Sequence, residues 1–243
     1  MRRAGDALNE YIREGRLSAN RSQPIGAGGY GSIYKSDVEG NIMKQSHEPD
    51  GIFAHRTSLE DEVNLQAIAA ELGLAPKVAG LEKFRGGIGN RIEMQDMRPT
   101  HELHRSQQQF PTGIDAVRVN QQLGQLALAG VDLQDRHTGN IMYNKMTGRP
   151  TQLDFGKGRQ VTGEDQVATL AAATEEGLHE AGLVEEAAIY SATVYDLLAG
   201  GQVADAMDVA KQGFSRLQKI KTPVGNVPSA KTALLQQALA EFN

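Results

Sequence analysis

Asp135-Arg136-His137-Thr138-Gly139-Asn140-Ile141-Met142, followed after a short hairpin by Gln152-Leu153-Asp154-Phe155-Gly156, is the stretch on which the reading of this chain turns. Phosphoryl transfer from ATP needs an acidic group beside the attacking hydroxyl and oxygen ligands for magnesium on the phosphates. An Asp, an Asn five residues on and an Asp-Phe-Gly beyond a hairpin can supply all three from one compact pair of loops. A lone Asp-Phe-Gly is common by chance, whereas this spacing is not. The bland alternative is an ordinary polar loop and hairpin.

A second signal lies upstream. Pro24-Ile25-Gly26-Ala27-Gly28-Gly29-Tyr30-Gly31-Ser32-Ile33-Tyr34-Lys35 carries G-x-G-x-x-G at Gly26, Gly28 and Gly31. The dinucleotide-binding fingerprint has the same spacing, but there the glycine turn opens a helix. Here Ser32 to Val38 alternates and is rich in strand formers. Gly40-Asn41 then supplies a turn, and Asn41-Ile42-Met43-Lys44 begins another strand. A glycine loop linking two strands lets the backbone close over phosphates.

Lys44 is the candidate phosphate-contacting lysine, set against the alternative of a surface lysine on a strand end. Such a lysine needs a carboxylate to hold it. Leu59-Glu60-Asp61-Glu62-Val63 offers several, with Ser58 placed to cap a helix and acidic residues in its first turn. Glu62 is the chosen partner and Glu60 the fallback; a solvated helix start reads the same way. Val63, Ala67, Ala70 and Leu74 recur at helical spacing and predict the inward face.

In this order of motifs the chain resembles a very small member of the protein-kinase-like superfamily. The glycine loop, Lys44, Glu62, a hinge near Met94-Gln95-Asp96-Met97, the Asp135-to-Asn140 loop and Asp154-Phe155-Gly156 follow one another as the resemblance requires, over residues 22–160. The resemblance implies an α+β, two-lobed fold with ATP in the cleft: a β-rich N-lobe with one helix, a helical C-lobe and a reduced activation segment. It further implies that Asp135 orients or deprotonates the acceptor hydroxyl and that Asn140 and Asp154 hold magnesium. Gly26, Gly28, Gly31 and Lys44 would meet the phosphates, and the backbone near Asp96 and Met97 would meet adenine.

The departures are informative. The triplet Leu133-Gln134-Asp135 stands where protein kinases usually carry His-Arg-Asp, so the cation that reads a phosphorylated activation loop is missing. No Ala-Pro-Glu follows Asp154-Phe155-Gly156, and helix-like sequence resumes by about Thr162. Control by activation-loop phosphorylation is therefore expected to be absent. Asp135-Arg136-His137-x-x-Asn140 instead resembles the loop of the phosphatidylinositol 3-kinase branch. His137 falls two residues after Asp135, where many protein kinases keep a phosphate-binding lysine, and, protonated, could stabilise charge on the transferring group.

Composition adds bounds. The 243 residues can bury a sizeable core, and no apolar run is long enough to span a membrane. No signal peptide is evident, which suits a cytoplasmic protein or one delivered into a host cytoplasm. The absence of cysteine removes disulfides, thiol nucleophiles and cysteine zinc sites. A net charge of −5 gives no general footprint for nucleic acid. His101 and His104 lie in a polar stretch and read as surface residues.

Residues 1–20 read as a helical extension, 21–97 as the N-lobe and 98–243 as the C-lobe, entered through a polar linker from Pro99 to Pro111. Ala116, Val119, Leu123 and Leu126 mark a helix supporting the 135–140 loop. Thr162 can cap a helix with Val167, Leu170, Ala171 and Thr174 on one face. Val184, Ala188, Ser191 and Tyr195 mark a second face; Val203, Met207, Ala210, Phe214 and Leu217 mark a third. The segment from Ser229, with Leu235, Leu239 and Phe242 on one stripe, is the candidate docking helix.

Three functional classes follow. The first is a protein Ser/Thr kinase of the compact kind found among bacterial effectors and phage-encoded kinases. The second is a lipid or small-molecule kinase, favoured by the Asp135-Arg136-His137 loop. The third is a kinase fold used for binding or structure, or for nucleotidyl transfer.

Overall fold

Gly40, at φ +81°, turns the chain between two antiparallel strands and so begins a sheet. The structure is a computed structural model that describes residues 23–27, 31–47, 57–83, 90–103 and 111–222. The N-terminal extension, Gly28, His104 and the segment from Ser229 lie outside the described residues. The architecture is α+β, a sheet with one helix followed by a helical bundle. Two compact units divide the chain: Met1–Pro99 with Gln152–Arg159, and Thr100–Thr151 with Gln160–Asn243.

The first unit is built on strands β1 (Gly26–Ala27), β2 (Gly31–Lys35), β3 (Asn41–Ser46), β4 (Val78–Glu82) and β5 (Arg91–Gln95), in the order β1-β2-β3-β5-β4. Every neighbouring pair is antiparallel. Helix α1 (Leu59–Glu71) starts at Ser58, whose hydroxyl accepts the Asp61 amide at 3.1 Å. That satisfies one of the donors a helix start leaves unpaired. Leu59 and Val63 pack with Leu81, Ile92 and Met94 to form the core.

The buried face of α1 differs from the expected one. Leu59, Glu62, Val63, Leu65, Gln66 and Ala69 are buried on the helix; of the expected residues Val63 is among them, Ala67 and Ala70 are half-buried, and Leu74 is buried but beyond the helix. Two polar residues face inward because each has a partner: Glu62 meets Lys44, and Gln66 Nε2 donates to Pro76 O at 3.0 Å. Apolar periodicity cannot register a helix face that is polar by design of its partners.

The second unit begins with β6 (His101–Leu103), inside the stretch expected to be a linker. Its pairing with β8 (Ile141–Asn144) buries His101, which is therefore not a surface residue; Thr100 Oγ1 lies 2.8 Å from its Nδ1. Helix α2 (Gly113–Leu128) buries Ala116, Val119, Leu123 and Leu126 as expected. Next come β7 (Val131–Asp132), a 3-10 turn (Thr138–Asn140), and the hairpin of β8 (Ile141–Asn144) and β9 (Pro150–Gln152). Helices α3 (Gly163–Glu180), α4 (Val184–Ala199) and α5 (Val203–Gln218) complete it, α3 starting directly after the short stretch 157–162.

Val167, Leu170, Ala171 and Thr174 on α3 and Ala210, Phe214 and Leu217 on α5 are buried as expected. On α4 the buried face is Ala187, Tyr190, Ser191 and Val194, so Val184, Ala188 and Tyr195 point outward. Apolar residues surround that helix, and packing rather than periodicity selects the face. Thr162 stands at the N-cap of α3, yet its side chain makes no capping bond.

Candidate active site

In the first unit, β3 carries Lys44 toward α1. Lys44 Nζ donates to Glu62 Oε1 at 2.5 Å and to Asp154 Oδ1 at 3.0 Å. The Lys44 and Glu62 side chains are 12% and 2% exposed, Asp154 32%. Burial alone would lower the lysine pKa, but the carboxylates of Glu62 and Asp154 outweigh it and hold Lys44 above its ordinary value. Glu60, the alternative partner, instead pairs with Lys83. Asp154 is fixed from its own loop as well, Oδ1 accepting the Gly156 amide at 2.9 Å.

The glycines divide. Gly31 is buried at the start of β2, and a Cβ there would meet Gln45 O of β3 at 2.7 Å. Close strand approach is thus sufficient reason for glycine at this position. Gly26 lies exposed on β1, where a Cβ would make only ordinary contact with Ile33.

Asp96 and Met97 follow β5, half-buried. The Asp96 amide donates to Gly40 O at 2.8 Å, so the backbone group it could offer a nucleobase is its carbonyl, as an acceptor. Its carboxylate takes Arg98 in a fork, Nε at 2.9 Å and Nη2 at 2.6 Å. Those bonds to Arg98 hold the Asp96 carboxyl below its ordinary pKa.

In the second unit, Asp135, His137 and Asn140 sit between β7 and β8. Asn140 Nδ2 donates to Asp135 O at 3.2 Å, which turns the Asn140 Oδ1 the other way. His137 caps the 3-10 turn, with Nδ1 accepting the Gly139 amide at 3.1 Å. That bond requires an unprotonated Nδ1, so the ring proton is on Nε2. Nε2 stands 3.7 Å from Asp135 Oδ1, beyond hydrogen-bond length. A Cβ at residue 139 would lie 2.9 Å from the imidazole, so Gly139 makes room for this cap. Arg136 Nε donates to Leu133 O at 2.9 Å, which steadies the loop before Asp135.

Carboxylate and amide oxygens are hard donors that suit magnesium, which binds one or two protein ligands and completes its shell with phosphates and water. Asp154 in the first unit and Asn140 in the second each carry an oxygen of that kind. The predicted residues thus gather in two sets: Lys44, Glu62 and Asp154 in one unit, Asp135, His137 and Asn140 in the other. Thr57 was not legible in sequence. Its amide donates to Gly156 O at 3.0 Å and its hydroxyl to Gly158 O. A threonine before a helix cap carries no motif signal.

No protein-family model matches the chain. No curated protein matches it in sequence. Among solved structures it is similar to the Cydia pomonella granulovirus kinase PK-1. That similarity has a TM-score of 0.43 at 12% identity and covers 72% of each chain.

Among the described residues no helix is long and apolar enough to cross a membrane.

Proposed function

We propose that this chain is an ATP- and magnesium-dependent kinase that transfers the γ-phosphate to a hydroxyl, with a protein serine or threonine as acceptor. The supporting observation is the convergence of Lys44, Glu62 and Asp154, three residues scattered in sequence, on one ammonium group. A lysine held this way by a helix carboxylate is positioned to meet phosphate oxygens, and positioning with charge neutralisation is most of what phosphoryl transfer requires. Asp135 accepts the proton as the acceptor oxygen bonds to the γ-phosphorus and the bond to the β-phosphate oxygen breaks, releasing ADP. Asn140 and Asp154 would hold magnesium, which supplies charge neutralisation on the phosphates when bound. The short stretch between Phe155 and α3 leaves no room for a long phosphorylated segment, so activity would not depend on prior phosphorylation.

Transfer to a lipid or small metabolite is the second reading, favoured by Asp135-Arg136-His137. Labelled ATP offered to host-cell lysate, purified lipids and metabolites separates the two. Label on protein that vanishes with Asp135→Ala supports the first reading, and label confined to lipid or metabolite supports the second. Attachment of α-phosphate label would mean nucleotidyl transfer. A wild-type chain whose melting temperature is unmoved by millimolar Mg-ATP would overturn the catalytic reading in favour of a binding or structural role.

A further inference from the structure

Thr57 closes a ring of interactions through the first unit. Its amide bonds Gly156 O and its hydroxyl bonds Gly158 O, two carbonyls just beyond Asp154. The next residue, Ser58, caps α1, and Ser58 O accepts the Glu62 amide at 2.8 Å. Glu62 holds Lys44, Lys44 holds Asp154, and Asp154 Oδ1 accepts the amide of Gly156, which returns the ring to its start. The Gly158 amide donates to Phe155 O at 2.8 Å, so both carbonyls belong to one tight turn anchored by the fully buried Phe155.

We propose that Thr57 is a positioning residue, a two-point clamp that fixes the Asp154 loop against the start of α1 and so sets the Lys44–Glu62–Asp154 geometry. The proposal rests on the kinase reading above for its consequence in catalysis. Two observations carry it. One residue supplies both an amide and a hydroxyl to the same turn, so translation and rotation of that turn are both restrained. The residue also lies directly before the helix cap that positions Glu62, so the restraint reaches the carboxylate through a single helical turn. A chain with Gln134 in place of the loop arginine has no obvious phosphate-reading cation there. The clamp supplies an ordering contact that needs no phosphorylation.

Thr57→Val keeps the branched shape and the amide but removes the hydroxyl donor, while Thr57→Ser keeps the donor. Small misplacements of reacting groups cost up to about 100-fold in rate, and one lost bond of the two should cost on the order of tenfold. The expected result is that T57V lowers kcat about tenfold and raises the magnesium concentration for half-maximal activity, with T57S restoring both. A merely structural role would lower the amount of folded enzyme without moving the magnesium requirement. Hydrogen exchange on the wild-type chain without nucleotide tests the clamp independently of any variant's folding: the Thr57 amide should be protected. T57V with wild-type kcat and magnesium dependence, T57S as impaired as T57V, or an unprotected Thr57 amide would each overturn the proposal. Absence of phosphate transfer by the wild-type chain would sink the kinase reading, and amide exchange would still decide whether the clamp exists.

Discussion

Lys44 Nζ donates to Asp154 Oδ1 at 3.0 Å, and the same oxygen accepts the amide of Gly156 at 2.9 Å. A strand lysine and the backbone of a loop 110 residues away are thereby joined through a single carboxylate oxygen. The lysine's other bond, to the almost completely buried Glu62, makes the pair energetically asymmetric. Removing Lys44 takes the ammonium away from a carboxyl group that is 2% exposed, which costs far more than the intact pair contributes.

Lys44→Met should therefore destabilise the fold by about 3 kcal/mol, and the double variant K44M/E62L should recover most of the loss. Asp154, a third exposed, contributes less because solvent screens it. The sign of the pH dependence follows from the raised Lys44 pKa. A group whose folded pKa lies above its unfolded value of 10.5 stabilises fully below that pH and progressively less as pH rises through the folded value. Urea denaturation should show a constant difference between wild type and K44M across neutral and mildly alkaline pH, shrinking only above 10.5. A difference that already collapses near neutrality would contradict the assignment.

The two ring nitrogens of His137 can be separated by substitution. Nδ1 accepts the Gly139 amide, and a neutral ring that accepts there donates from Nε2. In His137→Asn the side-chain oxygen can still accept the Gly139 amide, but the ring donor is gone; in His137→Ala both are lost. If the cap is what matters, the Asn variant should retain most of the activity and the Ala variant should fall about tenfold. Equal loss in both would assign the effect to Nε2. Nitrogen chemical shifts of the ring should report the Nε2–H tautomer in the free protein.

Helix packing in the second unit depends on glycine. A Cβ on Gly124 of α2 would meet the Phe214 ring of α5 at 2.1 Å, and one on Gly213 would meet the Tyr190 ring at 2.2 Å. Neither Gly124 nor Gly213 has a positive φ, so alanine is excluded by the neighbouring ring and not by backbone strain. Gly124→Ala should cost about 1–3 kcal/mol by overpacking, despite alanine's better helix propensity. Adding Phe214→Leu to it should recover part of the loss in a denaturation series. A stabilised single variant would show that the contact is looser than described.

Local chemistry determined much of this protein in sequence. Gly40 and the alternation after Gly31 specify a turn between strands, the spacing from Asp135 to Asp154 specifies a loop and hairpin, and Ala116 to Leu126 specifies one helical face. Each is a signal contained within a few turns or strands of chain, where backbone preference and apolar period agree. Glu62 and Gln66 could not be placed by that rule, because a polar residue faces inward only when a distant partner compensates its burial. His101 is buried through strand pairing with Asn144, and the inward face of α4 is chosen by Phe214 and its neighbours on other helices. Thr57 is the plainest case: its two bonds reach carbonyls about a hundred residues away, and only the folded chain brings donor and acceptor together.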